Sequence, residues 1–365
     1  MTLVDVLEAS GLTGRGGAAF STAVKVRAAH DHGARLVVNA CDGEIGAVKD
    51  GYVVEHHLDE LVRGARLVSA GRRRRIRFAA HRGSVTAATL ARAGLDVLEV
   101  PDRYVSSEES SLVSLSVGGL ARPMTKRRPF VMGGRDSAGR RVPPTVVLNA
   151  ETVWRIAQVA DRGPEWFRSF GTRDEPGPRL VALTGAVERP GVLETEAGVP
   201  LAQLLDAARP AAGWEHVVVG GLGGIVLTAP EARGLRWTSA DLARYGGSVG
   251  PGVLDVLDPD RCPLDVVSSF LTYAAGETAG QCGPCMFGVP SVALAWRRLV
   301  DTPSRREIQA VRGAAGLLPD RGACRFPDGV GRFAGSALRA LEPHLAEHAA
   351  GRCPNVRSAT HAYRA

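Results

Sequence analysis

The sequence predicts an α/β chain that passes into a small α+β module and ends in a four-helix bundle. Over 1–176, strand-like apolar runs alternate with amphipathic helical stretches, the pattern of a parallel sheet covered by helices. Over 177–258, two β-rich runs meet at the turn "ERPG" and are followed by a helix and further strands. Over 259–350, apolar residues recur at three-to-four spacing in four segments joined by short loops, and a tail, 351–365, follows.

Taken in order, residues 2–9 read as a short helix, 11–17 as a Gly-rich loop, 20–30 as a helix and "ARLVVNA" as a strand ending at Asn39. "LDELVRGARLVSAG" is a helix, "RIRFAAH" a strand, "SVTAATLARAG" a helix and "LDVLEVP" a strand. The Arg-, Gly- and Pro-rich stretch from Met124 to Pro144 marks a surface connection, after which "TVVLNAETVWRIAQVA" reads as a strand leading into a helix. In the second region "RLVALTGAVERPGVLETEAGVPLAQLLDAA" gives hairpin then helix, and "HVVVGG" and "GIVLTA" give strands. The bundle helices are "LDVVSSFLTYAAG", "VPSVALAWRRLV", "RREIQAVRGAAGLL" and "VGRFAGSALRALEPHLAEHAA".

Composition narrows the function classes. With 45% hydrophobic and 23% charged residues the chain reads as globular, and its longest weakly polar run is too short and too Gly-rich to span a bilayer. Asp5 and Glu8 stand where a leader peptide wants basic residues, so a cytoplasmic chain without direct membrane insertion is expected. The net charge of +7 and the run Arg72 to Arg77 raise nucleic acid as a partner. That run precedes a strand and has no interleaved aromatics, so it reads as a solvated face and no nucleic acid is expected. Only Lys25, Lys49 and Lys126 are lysine, leaving 45 − 3 = 42 arginines, so the positions that stay lysine stand out as calling for a compact ammonium group. Of six cysteines, Cys282, Cys285, Cys324 and Cys353 lie after residue 280, a clustering that points to metal or redox chemistry.

Three motifs carry binding chemistry. Gly14, Gly16 and Gly17 precede a helix, which lets backbone N–H groups approach a phosphate, with Arg15 and Lys25 as cationic neighbours. The pattern does not follow a strand, so it is not a Rossmann fingerprint, and a plain Gly-rich turn is the bland alternative. "VVNACDGEIGAVKD" sets Asn39 at a strand end with Asp42, Glu44 and Asp50 beyond it; "RYVSSEESSLVSL" sets Tyr104 ahead of Glu108 and Glu109. Each could be an ordinary turn or helix cap.

Together with "PTVVLNAETV" and "GQCGPC", and in this order, these motifs resemble the NADH- and flavin-binding subunit of respiratory complex I, a family shared with diaphorase subunits of some hydrogenases and formate dehydrogenases. The resemblance covers nearly the whole chain. It implies an FMN- and NADH-binding α/β domain over 1–176, a β-grasp domain over 177–258 and a helical bundle with an iron–sulfur region over 259–350. Gly14, Gly16, Gly17, Lys25, Asn39, Tyr104, Glu108, Glu109 and Asn149 match flavin-contacting positions, and Arg15, Phe20 and Glu44 the nicotinamide-nucleotide side. Glu44, Glu108 and Glu109 are the implied catalytic carboxylates. Flavin accepts a hydride and releases electrons singly, so an electron-accepting partner is implied, either a thioredoxin-like iron–sulfur protein or a ferredoxin.

The chain departs from the family at Cys41 in place of Asp, Ser107 in place of Gly, Leu148 in place of the first of paired asparagines, and Val26 in place of Trp. The family's cluster loop has three cysteines; here the first is Ala279, while Cys282 and Cys285 match the others and Cys324, 324 − 285 = 39 residues on, matches the fourth ligand. Cys353 is the leading substitute, although an unbroken final helix carries it about 30 Å from Cys324 at roughly 1.5 Å per residue. Cys262 meets the same difficulty at the far end of the first bundle helix. Three readings follow: a 4Fe-4S or incomplete cluster on three thiolates with a distant or non-thiolate fourth ligand, a structural zinc on Cys282, Cys285, Cys324 and one more group, or free sulfurs. For the whole chain, the alternatives to an NADH dehydrogenase are a non-catalytic scaffold and an FMN oxidoreductase with another donor.

Overall fold

A computed structural model describes residues 1–72, 75–126, 128–136 and 139–353. Arg73 and Arg74 of the basic run, and the tail beyond Cys353, lie outside the described residues. The chain divides into two compact units: residues 1–43, 47–181 and 192–198 form the first, and 44–46, 182–191 and 199–365 the second.

In the first unit, α1 (Leu3–Ser10) begins at a capping box between Thr2 and Asp5 and stops at Gly11, where φ of +69° suits a residue without Cβ. Ser21 caps α2 (Thr22–Asp31), which leads into β1 (Arg35–Asn39). After α3 (Lys49–His56) and α4 (Leu58–Val68) come β2 (Ile76–His81), α5 (Val85–Arg92) and β3 (Val97–Val100). Then follow α6 (Glu109–Ser116), the short hairpin β4 (Gly134–Arg135) and β5 (Arg141–Val142), β6 (Thr145–Asn149) and α7 (Ala150–Arg168).

The first unit's sheet runs β3-β2-β1-β6, with parallel pairing throughout. Both faces are covered, which is why the strands read as continuous apolar runs. Leu36, Val38, Phe78, Ala80, Val146 and Leu148 face one core, while Val37, Ala79 and Val147 face the other. Helices α4 and α7 approach at Gly64, where a Cβ would stand 2.0 Å from the Val153 carbonyl. The carboxylate-bearing segment after Asn39 ends in a helix, because Asp42 accepts the N–H groups of Asp50 and Gly51 and so caps α3 from a distance.

The later strands are β7 (Pro178–Gly185), β8 (Gly191–Glu196), β9 (His216–Val219), β10 (Ile225–Thr228) and β11 (Val253–Val256), in sheet order β10-β9-β11-β7-β8. Among them lie α8 (Leu201–Ala208), α9 (Ala229–Arg233) and α10 (Ser239–Ala243). The bundle consists of α11 (Pro263–Gly276), α12 (Val289–Asp301), α13 (Arg305–Gly316), α14 (Phe326–Ala340) and α15 (Glu342–Ala349). The sequence pattern joins the last two as one helix. Pro343 has no N–H to give and its ring clashes with the preceding turn, so the helix breaks at Leu341 and restarts with Pro343 in the first turn of α15. Among the described residues no helix is long and apolar enough to cross a membrane.

Candidate active site

β1 has β2 on one side and β6 on the other, so the chain connections leave it in opposite directions. In a parallel sheet that arrangement opens a crevice at the carboxyl ends of the two strands. Asn39 and Asn149 end β1 and β6 in direct register there.

Most of the expected flavin positions collect at this edge. Gly16 lies against Asn149, and a Cβ on it would stand 3.2 Å from the Asn149 Cβ. Lys25 Nζ reaches the Val147 carbonyl at 3.2 Å and Glu109 Oε1 at 3.3 Å, while Lys126 Nζ holds Glu109 Oε2 at 2.8 Å. Burial would raise the Glu109 carboxyl, but the two ammonium groups hold it below its usual range. Glu108 has the opposite environment: burial pushes its carboxyl up against the opposing hydrogen bonds from Ser110 and Ser111. It is Glu108 itself, not a preceding serine, that caps α6, accepting the N–H groups of Ser110 and Ser111. Two adjacent carboxyls held apart in this way are suited to one ionised and one proton-carrying role.

The two asparagines brace the crevice. Asn39 Nδ2 donates to the Ser107 carbonyl at 3.0 Å, and its Oδ1 accepts from Cys41 N at 3.2 Å, which pins the Tyr104–Ser107 turn beside the strand end. Gly43 packs so tightly under that turn that a Cβ there would meet Ser107 Oγ at 1.9 Å. Asn149 caps α7, accepts from Lys49 Nζ at 3.1 Å and donates to both Asp50 oxygens at 2.8 Å. Beneath it, Lys49 is buried against Asp50 and Glu151. Burial, reinforced by Asp50, pushes the Asp42 carboxyl up to about 7. Burial, then Asp50 and Asp42, also raises the Cys41 thiol, so the residue that departs from the family's aspartate stays protonated.

Two expected site residues are turned elsewhere. Arg15 is buried: its guanidinium donates to the Pro176 and Pro178 carbonyls at 2.9 and 3.2 Å and lies over the Phe167 ring, so it ties backbone together and does not reach for a nucleotide. Glu44 accepts the N–H groups of Ile45 at 2.9 Å, Leu222 at 2.8 Å and Gly223 at 3.4 Å, a carboxylate seated in a backbone nest. Phe20, in contrast, is 51% exposed at the end of the glycine loop, an aromatic face open to stacking. The glycine loop, exposed aromatic and two lysines fit a phosphate-bearing planar group in shape and charge.

In the second unit, Cys282 and Cys285 lie together; burial and then Cys282 raise the Cys285 thiol, opposed by hydrogen bonds from the Ala279 and Gly280 backbone N–H groups. Donors aimed at sulfur are what a thiolate bound to iron requires. The turn Pro284–Gly288 packs on α14 and, through Gly288, on Leu318 in the loop that carries Cys324. Three thiols on two adjacent loops fit an iron–sulfur cluster in donor chemistry. Cys353 does not join them. Its sulfur lies 3.2 Å from His344 Nε2, beside Cys262, and the fourteen residues of α11, about 20 Å of helix, separate Cys262 from the cluster loop.

Lys49 and Glu151 were not among the expected site residues, while Asp50 was read only as a carboxylate beyond the strand end; the scarcity of lysine was the one signal that pointed to Lys49. His344 and His348 were also missed, although their spacing to Cys353 is visible in the sequence.

A parallel sheet with paired carboxyls at its switch point, joined in one chain to a thiol-bearing helical bundle, defines a flavin and iron–sulfur electron-transfer protein. Residues 7–158 match the Nuo51 FMN-binding domain and residues 265–348 the NADH-ubiquinone oxidoreductase-F iron-sulfur binding region. The second of the F-type subunits of NADH-quinone oxidoreductase in Rhizobium meliloti is 28% identical over 81% of this chain and 76% of its own length. The corresponding F-type NADH-quinone oxidoreductase polypeptide of Streptomyces coelicolor is 27% identical over 96% of this chain and 84% of its own. A chain of the NAD+-reducing [NiFe]-hydrogenase in the H2-reduced state superposes with a TM-score of 0.78 at 28% identity, and this chain covers 62% of its length. In both regions the chain is thus similar to the NADH- and FMN-binding subunits of respiratory NADH dehydrogenases and to a chain of an NAD+-reducing hydrogenase.

Proposed function

We propose that this chain is the electron-input component of a larger assembly, oxidising NADH at FMN and passing the electrons to an iron–sulfur protein. The observation that carries this reading is the register of Asn39 with Asn149 at the sheet's switch point, with the Lys25–Glu109 pair on the same edge. Bound FMN supplies two-electron acceptance and one-electron release. The chain's residues hold and orient it. The glycine loop Gly14–Gly17 offers backbone N–H groups, Lys25 and Lys126 place positive charge at the rim, and Glu109 stays ionised between them. Glu108 stands beside it with its carboxyl raised by burial. Phe20 presents a face for a nucleotide ring. Cys282, Cys285 and Cys324 would hold the cluster, with the fourth position left to a non-thiolate group.

The domain reading is retained as part of this proposal: 1–176 binds the nucleotides, 177–258 is a β-grasp module and 259–350 carries the cluster. The acceptor is a thioredoxin-like iron–sulfur protein or a ferredoxin, and the chain works in the cytoplasm, peripheral to any membrane complex. A second reading keeps FMN and changes the donor. Arg15 and Glu44, both on the nicotinamide side by resemblance, are committed to the protein's own backbone, which favours it.

Anaerobic purification with flavin, iron and sulfide quantification tests the cofactors, and ferricyanide reduction with NADH, NADPH or reduced ferredoxin tests the donor. Bound flavin and NADH-driven reduction are expected. A colourless protein that takes up no added FMN would leave only the scaffold reading, and reduction by NADPH or ferredoxin alone would select the second.

A further inference from the structure

At the end of the bundle away from the cluster loop, four side chains converge that the electron-transfer reading does not use. Cys262, the N-cap of α11, lies with its sulfur 3.7 Å from His344 Nε2 and 3.6 Å from His348 Nδ1. Cys353 Sγ lies 3.2 Å from the same His344 Nε2. The four ligand atoms all fall within 4.8 Å of one another, and neither thiol is in a disulfide.

We infer that Cys262, His344, His348 and Cys353 form a structural zinc site. Zinc takes two thiolates and two imidazoles in a tetrahedron with bonds of about 2.3 Å to sulfur and about 2.0 Å to nitrogen, which sets neighbouring sulfur and nitrogen about 3.5 Å apart. The three sulfur–nitrogen distances here bracket that value. His344 and His348 are four residues apart on α15, hence on one face, and Cys353 follows just past the end of that helix. His348 Nε2 lies 2.9 Å from the Val300 carbonyl. Donation there puts the proton on Nε2 and leaves Nδ1, the atom facing Cys262, as the lone-pair donor a metal needs, the usual outer-shell arrangement of a ligating histidine.

The arrangement suits one ion and not an iron–sulfur centre. Cubane clusters take cysteines alone, and in a Rieske centre the histidines and cysteines sit on different irons. Here each sulfur is 3.2 to 3.7 Å from a histidine nitrogen, the span of a single ion. Four protein ligands leave no open position, which makes the site structural and not catalytic. It ties the start of α11 to α15 and to Cys353, residues that span 353 − 262 = 91 positions of chain. It stands whether or not the flavin and cluster readings hold.

The test is metal quantification on the full chain purified without chelator, with zinc and iron measured on the same sample. About one zinc per chain is expected, unchanged in the Cys282→Ser/Cys285→Ser variant even as iron falls, and reduced about tenfold or more in His344→Ala and in Cys262→Ser. If those variants fold poorly, cobalt(II) titration of the chelator-stripped wild-type chain replaces them, with tetrahedral visible absorption bands that zinc abolishes as the expected result. Zinc retained in full by folded His344→Ala, iron lost in place of zinc, or no tetrahedral cobalt spectrum would each overturn the assignment.

Discussion

Lys49 Nζ lies 2.9 Å from Glu151 Oε2 with both side chains shielded from solvent, directly beneath the strand ends that carry the crevice. Neither charge has water to fall back on, so each depends on the other and on the hydrogen bonds around them: Asn149 and Asp50 on the lysine, Leu180 N–H on the glutamate. The pair fixes Asn149, and Asn149 fixes the floor of the site.

Lys49→Met should therefore destabilise the chain by about 3–5 kcal/mol, because it removes the nearest cation from buried Glu151 and Asp50. Urea unfolding followed by tryptophan fluorescence measures this. Lys49, then Arg155 and Arg15, hold the Glu151 carboxyl below its usual range against burial. Stability from a depressed carboxyl is present above the ordinary glutamate range and lost as pH falls below it, so Glu151→Gln should flatten the acid side of the stability profile.

Asp42 has the opposite sign. Its carboxyl is raised from 3.8 to about 7, so the folded chain binds a proton that the unfolded chain releases. Stability should fall as pH rises from about 4 to about 7 and level off above that. Asp42→Asn, which keeps an acceptor for the N–H groups of Asp50 and Gly51, should remove the slope in urea midpoints taken across that range.

Lys25→Ala should weaken FMN binding by about 10–100-fold, the loss of one charge-assisted contact of about 1.5–3 kcal/mol. Flavin fluorescence quenching in a titration reads it directly. Lys126→Ala should cost less, since that side chain is 49% exposed against 31% for Lys25 and solvent screens it more.

Gly43 and Ser107 should behave as one site. Gly43→Ala drives a methyl into Ser107 Oγ and should cost about 1–3 kcal/mol, while Gly43→Ala combined with Ser107→Gly should recover most of it. A double-mutant cycle on thermal midpoints shows the coupling, and additive losses would mean the turn moves aside.

Ala279→Cys restores the ligand that resemblance finds missing from the cluster loop. Iron and sulfide retained per chain through anaerobic gel filtration should rise relative to wild type.

The order of strands and helices in the first unit was legible in the sequence, because the period of apolar residues is a property of near neighbours: Leu36, Val37 and Val38 alternate between two cores as any strand buried on both faces must. So were the glycine loop, the Glu108–Glu109 pair and the paired cysteines at 282 and 285, whose chemistry depends on residues a few positions apart. Side chains that meet from distant parts of the chain were not legible. Arg15 and Glu44 looked like ligand contacts and became backbone ties, because the Pro176 and Pro178 carbonyls and the Leu222 and Gly223 N–H groups that hold them come from residues more than 150 positions away. Cys353 looked like a stray cluster ligand until Pro343 broke the last helix. That break gave α15 its own direction, and only the meeting of α15 with the start of α11 decided that the sulfur would join Cys262 and two histidines and not the cluster loop.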